Sequence, residues 1–380
     1  MTTLEVDITK RLGSFSLDVS FAIERPDEIM ALLGPSGCGK SMTLKCIAGI
    51  ERPDSGRIVL GGRTLFDSSA HIDLPPQQRR VGYLFQSYAL FPTMTVEQNV
   101  RAGAAGATRE ERSARAAKEI AAMRLEGLEH HKPAQLSGGQ QQRCAMARIL
   151  ASDPELILLD EPFSALDGYL RWQLELELAD VLRGFPGGAV YVSHNRDEVY
   201  RMCDMVCVLD RGRSDAKVGV RELFAAPATL AAALISGCKN VSRARVAGPG
   251  LLACGDWGVT LETSLPVPEG VTHVGIRAHY FRAHAAGDGV ADAVGRNAIP
   301  CTVERVIDST FSTIVMARTP GGASLRYECE KGAWAALGNP AQLVLEAPPE
   351  TVMPLVSSGD DGMAGAIAMD NTRKGGALRA

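Results

Sequence analysis

Gly34-Pro35-Ser36-Gly37-Cys38-Gly39-Lys40-Ser41 fits the phosphate-loop pattern: a glycine, four free positions, then glycine, lysine and a hydroxyl residue. The apolar run Ile29-Met30-Ala31-Leu32-Leu33 leads into it as a short strand, and Met42 to Ala48 leaves it as a helix that stops at Gly49. Strand, glycine turn and helix are the context this pattern needs. The glycines let the backbone curl until successive N–H groups point inward at an anion. The helix N-terminus adds partial positive charge at the same point. Lys40 can reach the β- and γ-phosphates of a nucleotide, and the Ser41 hydroxyl can ligate Mg²⁺. A loop that merely turns the chain would not require all eight residues and both flanks to agree.

Working outward from the loop, Leu4-Glu5-Val6-Asp7-Ile8 and Phe15-Ser16-Leu17-Asp18-Val19 alternate with period two and read as half-buried antiparallel strands. Pro53 to Gly56 is a turn, and Arg57 to Leu60 resumes a strand. Val81 to Phe85 is a buried-type strand ending at Gln86. The semi-apolar loop Ser87 to Pro92 follows; its large side chains could be core or a docking surface. From about Val96 to Leu150 the pattern is helical and alanine-rich, with a capping box at Thr108-Arg109-Glu110-Glu111 that opens a helix running to about Leu125. Ser137 and Gln140 have the same spacing in Leu136-Ser137-Gly138-Gly139-Gln140. Taken alone this is a capped helix start, although its two glycines and hydroxyl would also suit a second phosphate-binding surface.

Leu156-Ile157-Leu158-Leu159-Asp160-Glu161 suits a central strand buried on both faces. Its two carboxylates fall at the strand's carboxyl end, where α/β sheets place ligands. Asp160 can hold Mg²⁺, and Glu161 can orient and polarise an attacking water. The alternative is a strand with a solvated acidic end. Ala189 to Ser193 is another buried strand with His194 at its end, plausibly beside the same pocket. Met205 to Asp210 is expected to be the last strand of the domain, and one helical stretch from Arg221 to about Leu234 closes it.

The chain of 380 residues is long enough for two or three domains, and its 46% hydrophobic and 22% charged residues describe an ordinary soluble protein. A net charge of −4 is not that of a nucleic-acid binder. The nine cysteines form no C-x-x-C pair and read as packing residues, not as a disulfide framework or zinc ligands. The first residues lack a basic-then-apolar pattern, so no signal peptide is expected, and no apolar run approaches the ~20 residues that span a bilayer. A cytoplasmic protein that meets a membrane only through a partner is the expectation.

Together these residues resemble the nucleotide-binding subunit of ABC transporters over about residues 1 to 240. LSGGQ is intact at Leu136 to Gln140, the carboxylate strand matches Leu156 to Glu161, Ser164-Ala165-Leu166-Asp167 matches the D-loop, and His194 matches the switch histidine, all in the family's order. The resemblance implies a P-loop NTPase fold of ABC type (α/β) with a helical subdomain at about 87–150. It also implies ATP and Mg²⁺ as ligands, with ATP hydrolysis coupled to transport. The catalytic residues would be Glu161, His194 and Gln86, and the metal would be held by Ser41, Gln86 and Asp160. Nucleotide would contact Gly34 to Met42, Ser137 to Gln140 and Asp167. The family forms a head-to-tail dimer in which each ATP lies between the phosphate loop of one subunit and LSGGQ of the other. The loop Tyr88 to Pro92 would meet a membrane permease at the cytoplasmic face, with an external solute-binding protein acting indirectly.

Three positions depart from the family. Met42 stands where a second Ser or Thr is usual, Leu12 where an aromatic stacks on adenine (with Phe15 a weak substitute), and Asn195 where an acidic residue often follows the histidine.

Beyond residue 235 short alternating segments separated by Gly and Pro turns, among them Gly258–Glu262, Val271–Arg277 and Cys301–Ile307, suggest a small β-barrel over 236–356. Ala283 to Gly295 reads as a flexible loop with His284 an ordinary surface residue, and 357–380 as a disordered tail. The barrel resembles the OB-like accessory domain of importer-type ATPases, in which Gly275-Ile276-Arg277 recurs. The wording of Ser41 to Glu51, Gly82 to Gln86 and Ser236 to Asn240 is most similar to ATPases of molybdate and sulfate uptake, with iron, polyamine or sugar as alternative solutes. A soluble ABC ATPase of DNA repair or ribosome action is the rival class. It is disfavoured by the single ATPase unit and the lack of heptads.

Overall fold

The computed structural model describes residues 3–164, 168–286 and 295–357, and contacts divide the chain into two compact units, Met1–Arg221 and Glu222–Ala380. In the first unit, β1 (Leu4–Leu12) and β2 (Phe15–Ile23) form the expected antiparallel hairpin, with alternating burial along both strands. They join β4 (Ser55–Leu60), β5 (Arg63–Asp67) and the short β6 (Ile72–Asp73) in an antiparallel layer.

The buried strand β3 (Ile29–Leu33) lies at the centre of a parallel array. Its neighbours are β10 (Met205–Asp210) on one side and β9 (Ala189–Ser193) on the other, followed by β8 (Leu156–Asp160) and β7 (Val81–Leu84). β3, β8 and β9 are buried at every position, which is why they read as continuous apolar runs and not as alternating ones. Because these five strands are parallel, their carboxyl ends share one edge of the sheet. The phosphate loop, Asp160, His194 and the approach to Gln86 lie along that edge. Two short strands, β11 (Arg213–Ser214) and β12 (Val218–Gly219), pair with β10, so Met205–Asp210 is not the last strand.

The alanine-rich region holds α3 (Val96–Gly103), α4 (Arg109–Ala122) and α5 (Gly138–Ala151), which pack on one another. Each opens with a complete capping box, at Thr95, Thr108 and Ser137. α4 stops at Ala122, three residues before the expected end. The stretch after Arg221 is two helices, α8 (Val220–Ala225) and α9 (Leu230–Ile235). Pro227 disfavours helical backbone at Ala226 and lacks the amide a continuous helix needs.

The second unit, expected as a small β-barrel, contains two five-stranded antiparallel sheets. One runs β15 (Val259–Glu262), β14 (Leu251–Cys254), β13 (Asn240–Gly248), β16 (His273–Ile276), β22 (Met353–Leu355). The other runs β17 (Arg282–Ala285), β21 (Gln342–Glu346), β18 (Ala298–Asp308), β19 (Ser312–Arg318), β20 (Ser324–Glu330). Leu252, Val274 and Ile276 of the first sheet share a core with Ile299, Val315 and Leu343 of the second. Ala283 to Ala285, expected as loop, belong to β17, which pairs with β21 and sets the His284 ring 3.0 Å from Glu346. Residues 287–294 and the tail beyond 357 lie outside the described residues. Arg277 of Gly275-Ile276-Arg277 is buried and donates to the carbonyls of Phe224 (2.5 Å) and Ser236 (2.9 Å). That motif therefore ties down the segment preceding β13.

Candidate nucleotide site

The helix α1 (Lys40–Ala48) begins on Gly39, whose φ of 109° only glycine adopts readily; Gly37 is also left-handed, at 80°. Gly34 has no room for a side chain, since a β-carbon there would overlap the carbonyl oxygen of Leu209. The Lys40 ammonium is buried across the loop and donates to the carbonyls of Gly34 (2.7 Å) and Pro35 (2.9 Å). Cys38 is buried beside it. Burial pushes the thiol above its ordinary value, against the opposing pull of Lys40.

Ser41 reaches out of the loop to β8: its Oγ donates to Asp160 Oδ1 at 2.7 Å. The other Asp160 oxygen accepts from the Tyr83 hydroxyl at 2.9 Å. Burial, reinforced by Asp160, raises the Tyr83 pKa and keeps the phenol a donor. Met42 packs on the hydrophobic core, and the next hydroxyl, Thr43, is spent on Gly39 O within the helix (3.0 Å). Nothing in the first turn beyond Ser41 replaces the hydroxyl that Met42 lacks.

Glu161 has a left-handed backbone, φ 48°, which is costly for a non-glycine residue and clusters at functional sites. Its amide donates to Val192 O of β9, and the Ser164 hydroxyl donates to its carbonyl. The side chain is thereby turned off the sheet edge, where Oε2 stands 3.2 Å from His194 Nδ1. His194 is held from behind. Ser193 Oγ (2.7 Å), Tyr191 OH (3.0 Å) and Asn195 Nδ2 (3.1 Å) all donate to the buried carboxylate of Glu198. Asn195 also caps α7 (Arg196–Met202) by accepting from Asp197 N. The departure at 195 thus becomes an amide donor to Glu198, where an acid would meet a second carboxylate.

Several expected residues are not gathered here. Gln86 is exposed beyond β7 and makes no hydrogen bond to Ser41 or Asp160. The side chains of Ser137 and Gln140 accept from each other's amides across the capping box (2.8 and 3.3 Å), and no hydrogen bond joins these residues to the phosphate loop among the described residues. Asp167 lies outside the described residues. Leu12 is exposed, while Phe15 turns inward: its ring edge comes within 3.3 Å of where a β-carbon on Gly39 would stand. In the loop Tyr88 to Pro92, Tyr88 is core and donates to Pro162 O, whereas Phe91 is exposed. Sequence reading missed Tyr83, Ser193 and Glu198, whose only signal was a polar group inside an apolar strand or on a helix start.

A sequence model of the family described as ABC transporter matches residues 17–164. A Brucella abortus protein named Fe(3+) ions import ATP-binding protein FbpC is 36% identical over 329 residues, covering 85% of this chain and 86% of its own length. The chain belongs to the ABC transporter family, as an ATP-binding subunit of importer type. A Rubrobacter xylanophilus spermidine/putrescine import ATP-binding protein PotA is also 36% identical, over 351 residues and 89% of both chains. Among solved structures, cbiO1 of Clostridium perfringens, described as part of the ABC transporter complex cbiONQ, superposes with a TM-score of 0.52 at 27% identity. It covers 59% of this chain and 91% of its own. Like other ABC subunits of this type, the chain is an ATP-hydrolysing transport ATPase. No helix among the described residues is long and apolar enough to cross a membrane.

Proposed function

We propose that this ABC subunit energises the import of ferric iron or a polyamine. The names of the relatives support that class of solute. The expected oxyanion receives no such support, because neither relative is named for molybdate or sulfate. Arg277, in the motif that suggested an importer barrel, is committed to backbone carbonyls. The second unit is read as the accessory, OB-like domain of such an importer, its two sheets closed over one core.

The observation that carries the catalytic reading is the pairing of Glu161 with His194 at 3.2 Å, on the ends of adjacent parallel strands. Glu161 orients a water and draws its proton as the water attacks the terminal phosphorus of ATP, whose bond to the β,γ-bridging oxygen breaks so that ADP leaves with the electron pair. His194 fixes the carboxylate's direction. Lys40 and the N–H groups of Gly37 to Ser41 hold the phosphates. The Ser41–Asp160 pair fits a hard cation with oxygen ligands: both are oxygen donors, adjacent, and Asp160 is fixed by Tyr83. Mg²⁺ held by Ser41 and Asp160, with Gln86 moving in, would neutralise charge on the phosphates. Among the described residues no hydrogen bond joins Ser137 to Gln140 to the loop of their own chain, and they are proposed to serve a second copy's nucleotide in a homodimer, with Asp167 at that interface. The exposed Phe91 within Tyr88 to Pro92 is proposed to meet a permease at the cytoplasmic face of the membrane, which an external solute-binding protein supplies.

Uptake of labelled ferric iron, spermidine and molybdate by cells lacking this chain tests the reading. Loss of iron or spermidine uptake, restored by the wild-type chain and not by Glu161→Gln, is expected. Loss of molybdate uptake alone would overturn the proposed solute class.

A further inference from the structure

Between β7 and α3 the chain turns through two left-handed residues in succession, Tyr88 (φ 59°) and Ala89 (φ 45°), neither of them glycine. Such backbone is costly and persists only where its surroundings hold it. The turn starts at Phe85, whose carbonyl accepts from Tyr88 N at 2.8 Å, so Gln86 and Ser87 are its two central residues. Tyr88 is gripped at both ends. Its hydroxyl donates at 3.3 Å to the carbonyl of Pro162, the residue after Glu161, and its own carbonyl accepts from Arg148 at 3.0 Å. The same guanidinium donates to Ala89 O at 2.8 Å and stands 5.6 Å from the centre of the Phe91 ring, within cation–π range.

Arg148 lies in the last turn of α5. Its stem packs on Gly103 of α3, where a β-carbon would come within 2.7 Å of Arg148 Cγ. Burial pulls its pKa below the ordinary value, and among the described residues no carboxylate pairs with it. The guanidinium is thus committed to two carbonyls of a strained turn. Beyond the turn, buried Asn99 accepts from Phe91 N (2.8 Å) and donates to Phe91 O (3.2 Å), which fixes the far end of the loop.

We propose that Arg148 is a positioning residue for hydrolysis: it holds Tyr88 and Ala89 in left-handed backbone and so keeps closed the turn that presents Gln86. The Gln86 side chain then moves toward the metal from a fixed backbone. The effect on hydrolysis rests on the role proposed for Gln86; the clamp does not.

Hydrogen exchange over residues 85–91 of the full chain, without nucleotide, reads the clamp. Exchange there is expected to rise about tenfold in Arg148→Met, with α1 unchanged. Steady-state kinetics reads the consequence. Turnover should fall about tenfold to a hundredfold, with little change in the KM for ATP and a severalfold higher Mg²⁺ requirement. Ala89 is exposed, so Ala89→Gly removes no packing. In the Arg148→Met background it should raise turnover about fivefold, because glycine adopts the left-handed turn unaided. Lost packing around Arg148 would not be recovered that way. Should Arg148→Met fail to fold, Arg148→Lys, which keeps the charge and loses the two-pronged grip, carries the same comparisons. Unchanged exchange would overturn the clamp. Raised exchange with unchanged kcat and Mg²⁺ dependence, while Gln86→Ala lowers turnover, would overturn the positioning role. Raised exchange with turnover unchanged in both Arg148→Met and Gln86→Ala would overturn the role of Gln86 and leave the clamp standing.

Discussion

Ser41 Oγ and Asp160 Oδ1 are joined at 2.7 Å across 119 residues of sequence, and this bond ties the phosphate loop to the carboxylate strand β8, which β9 separates from β3. Tyr83 completes the arrangement by donating to the second oxygen of Asp160 at 2.9 Å, so the carboxylate cannot rotate. Tyr83→Phe removes one hydrogen bond from a buried charge and is expected to cost about 1–2 kcal/mol of stability. It should also raise severalfold the Mg²⁺ concentration that supports half-maximal ATP turnover. Urea melts and a Mg²⁺ titration check both; unchanged Mg²⁺ dependence would remove Tyr83 from the positioning of Asp160.

Glu161 is expected to be dispensable for binding and needed for hydrolysis. Glu161→Gln keeps the shape and the contact with His194 but loses the base, so turnover should fall by about a hundredfold to ten-thousandfold with ATP affinity retained. Single-turnover kinetics beside equilibrium binding separates the two effects.

Glu198 acts through the loop that presents His194. Three donors converge on its buried carboxylate, two of them from the residues on either side of the histidine. Glu198→Ala should lower kcat with little change in the KM for ATP, and Glu198→Gln should restore part of the rate. Equal loss in both variants, with a parallel loss of stability, would make Glu198 a folding residue only.

Arg79 is fully buried and donates to the carbonyls of Cys46 and Ile47 at the end of α1 and to Leu74 O, while it pairs with Asp73. Arg79→Met should destabilise the first unit by about 3–5 kcal/mol, because three buried carbonyls lose their donor. Thermal and urea unfolding measure this directly.

Cys38 should alkylate slowly at neutral pH. Its thiol is raised above the ordinary value of 9.0, chiefly by burial, so thiolate is scarce below that pH. The alkylation rate at Cys38 is expected to climb about tenfold per pH unit through neutrality without a plateau. A plateau near pH 7 would mean that Lys40 outweighs burial. Mass mapping of the labelled cysteine reads the result.

Local chemistry made much of this protein legible. The phosphate loop, the capping boxes at Thr108 and Ser137 and the apolar runs before Gly34, Asp160 and Ser193 are each contained within a dozen residues. Backbone conformation and hydrogen bonding over such distances follow from residue type. The alternation in the second unit was equally local, so its strands were visible, whereas their division into two sheets depended on pairings between distant segments. A single-helix reading after Arg221 failed because the apolar pattern outweighed Pro227 in the reading, though not in the backbone.

By itself, then, the sequence determined that a nucleotide loop, a carboxylate strand and a histidine strand exist, because each is a run of neighbouring residues. Only the tertiary structure decided that parallel pairing of β3, β8 and β9 brings Ser41 to Asp160 and Glu161 to His194. It alone placed Tyr83 and Glu198 behind them. Those relationships depend on which strands become neighbours and which helix faces meet, and burial enforces that choice across more than a hundred residues of chain.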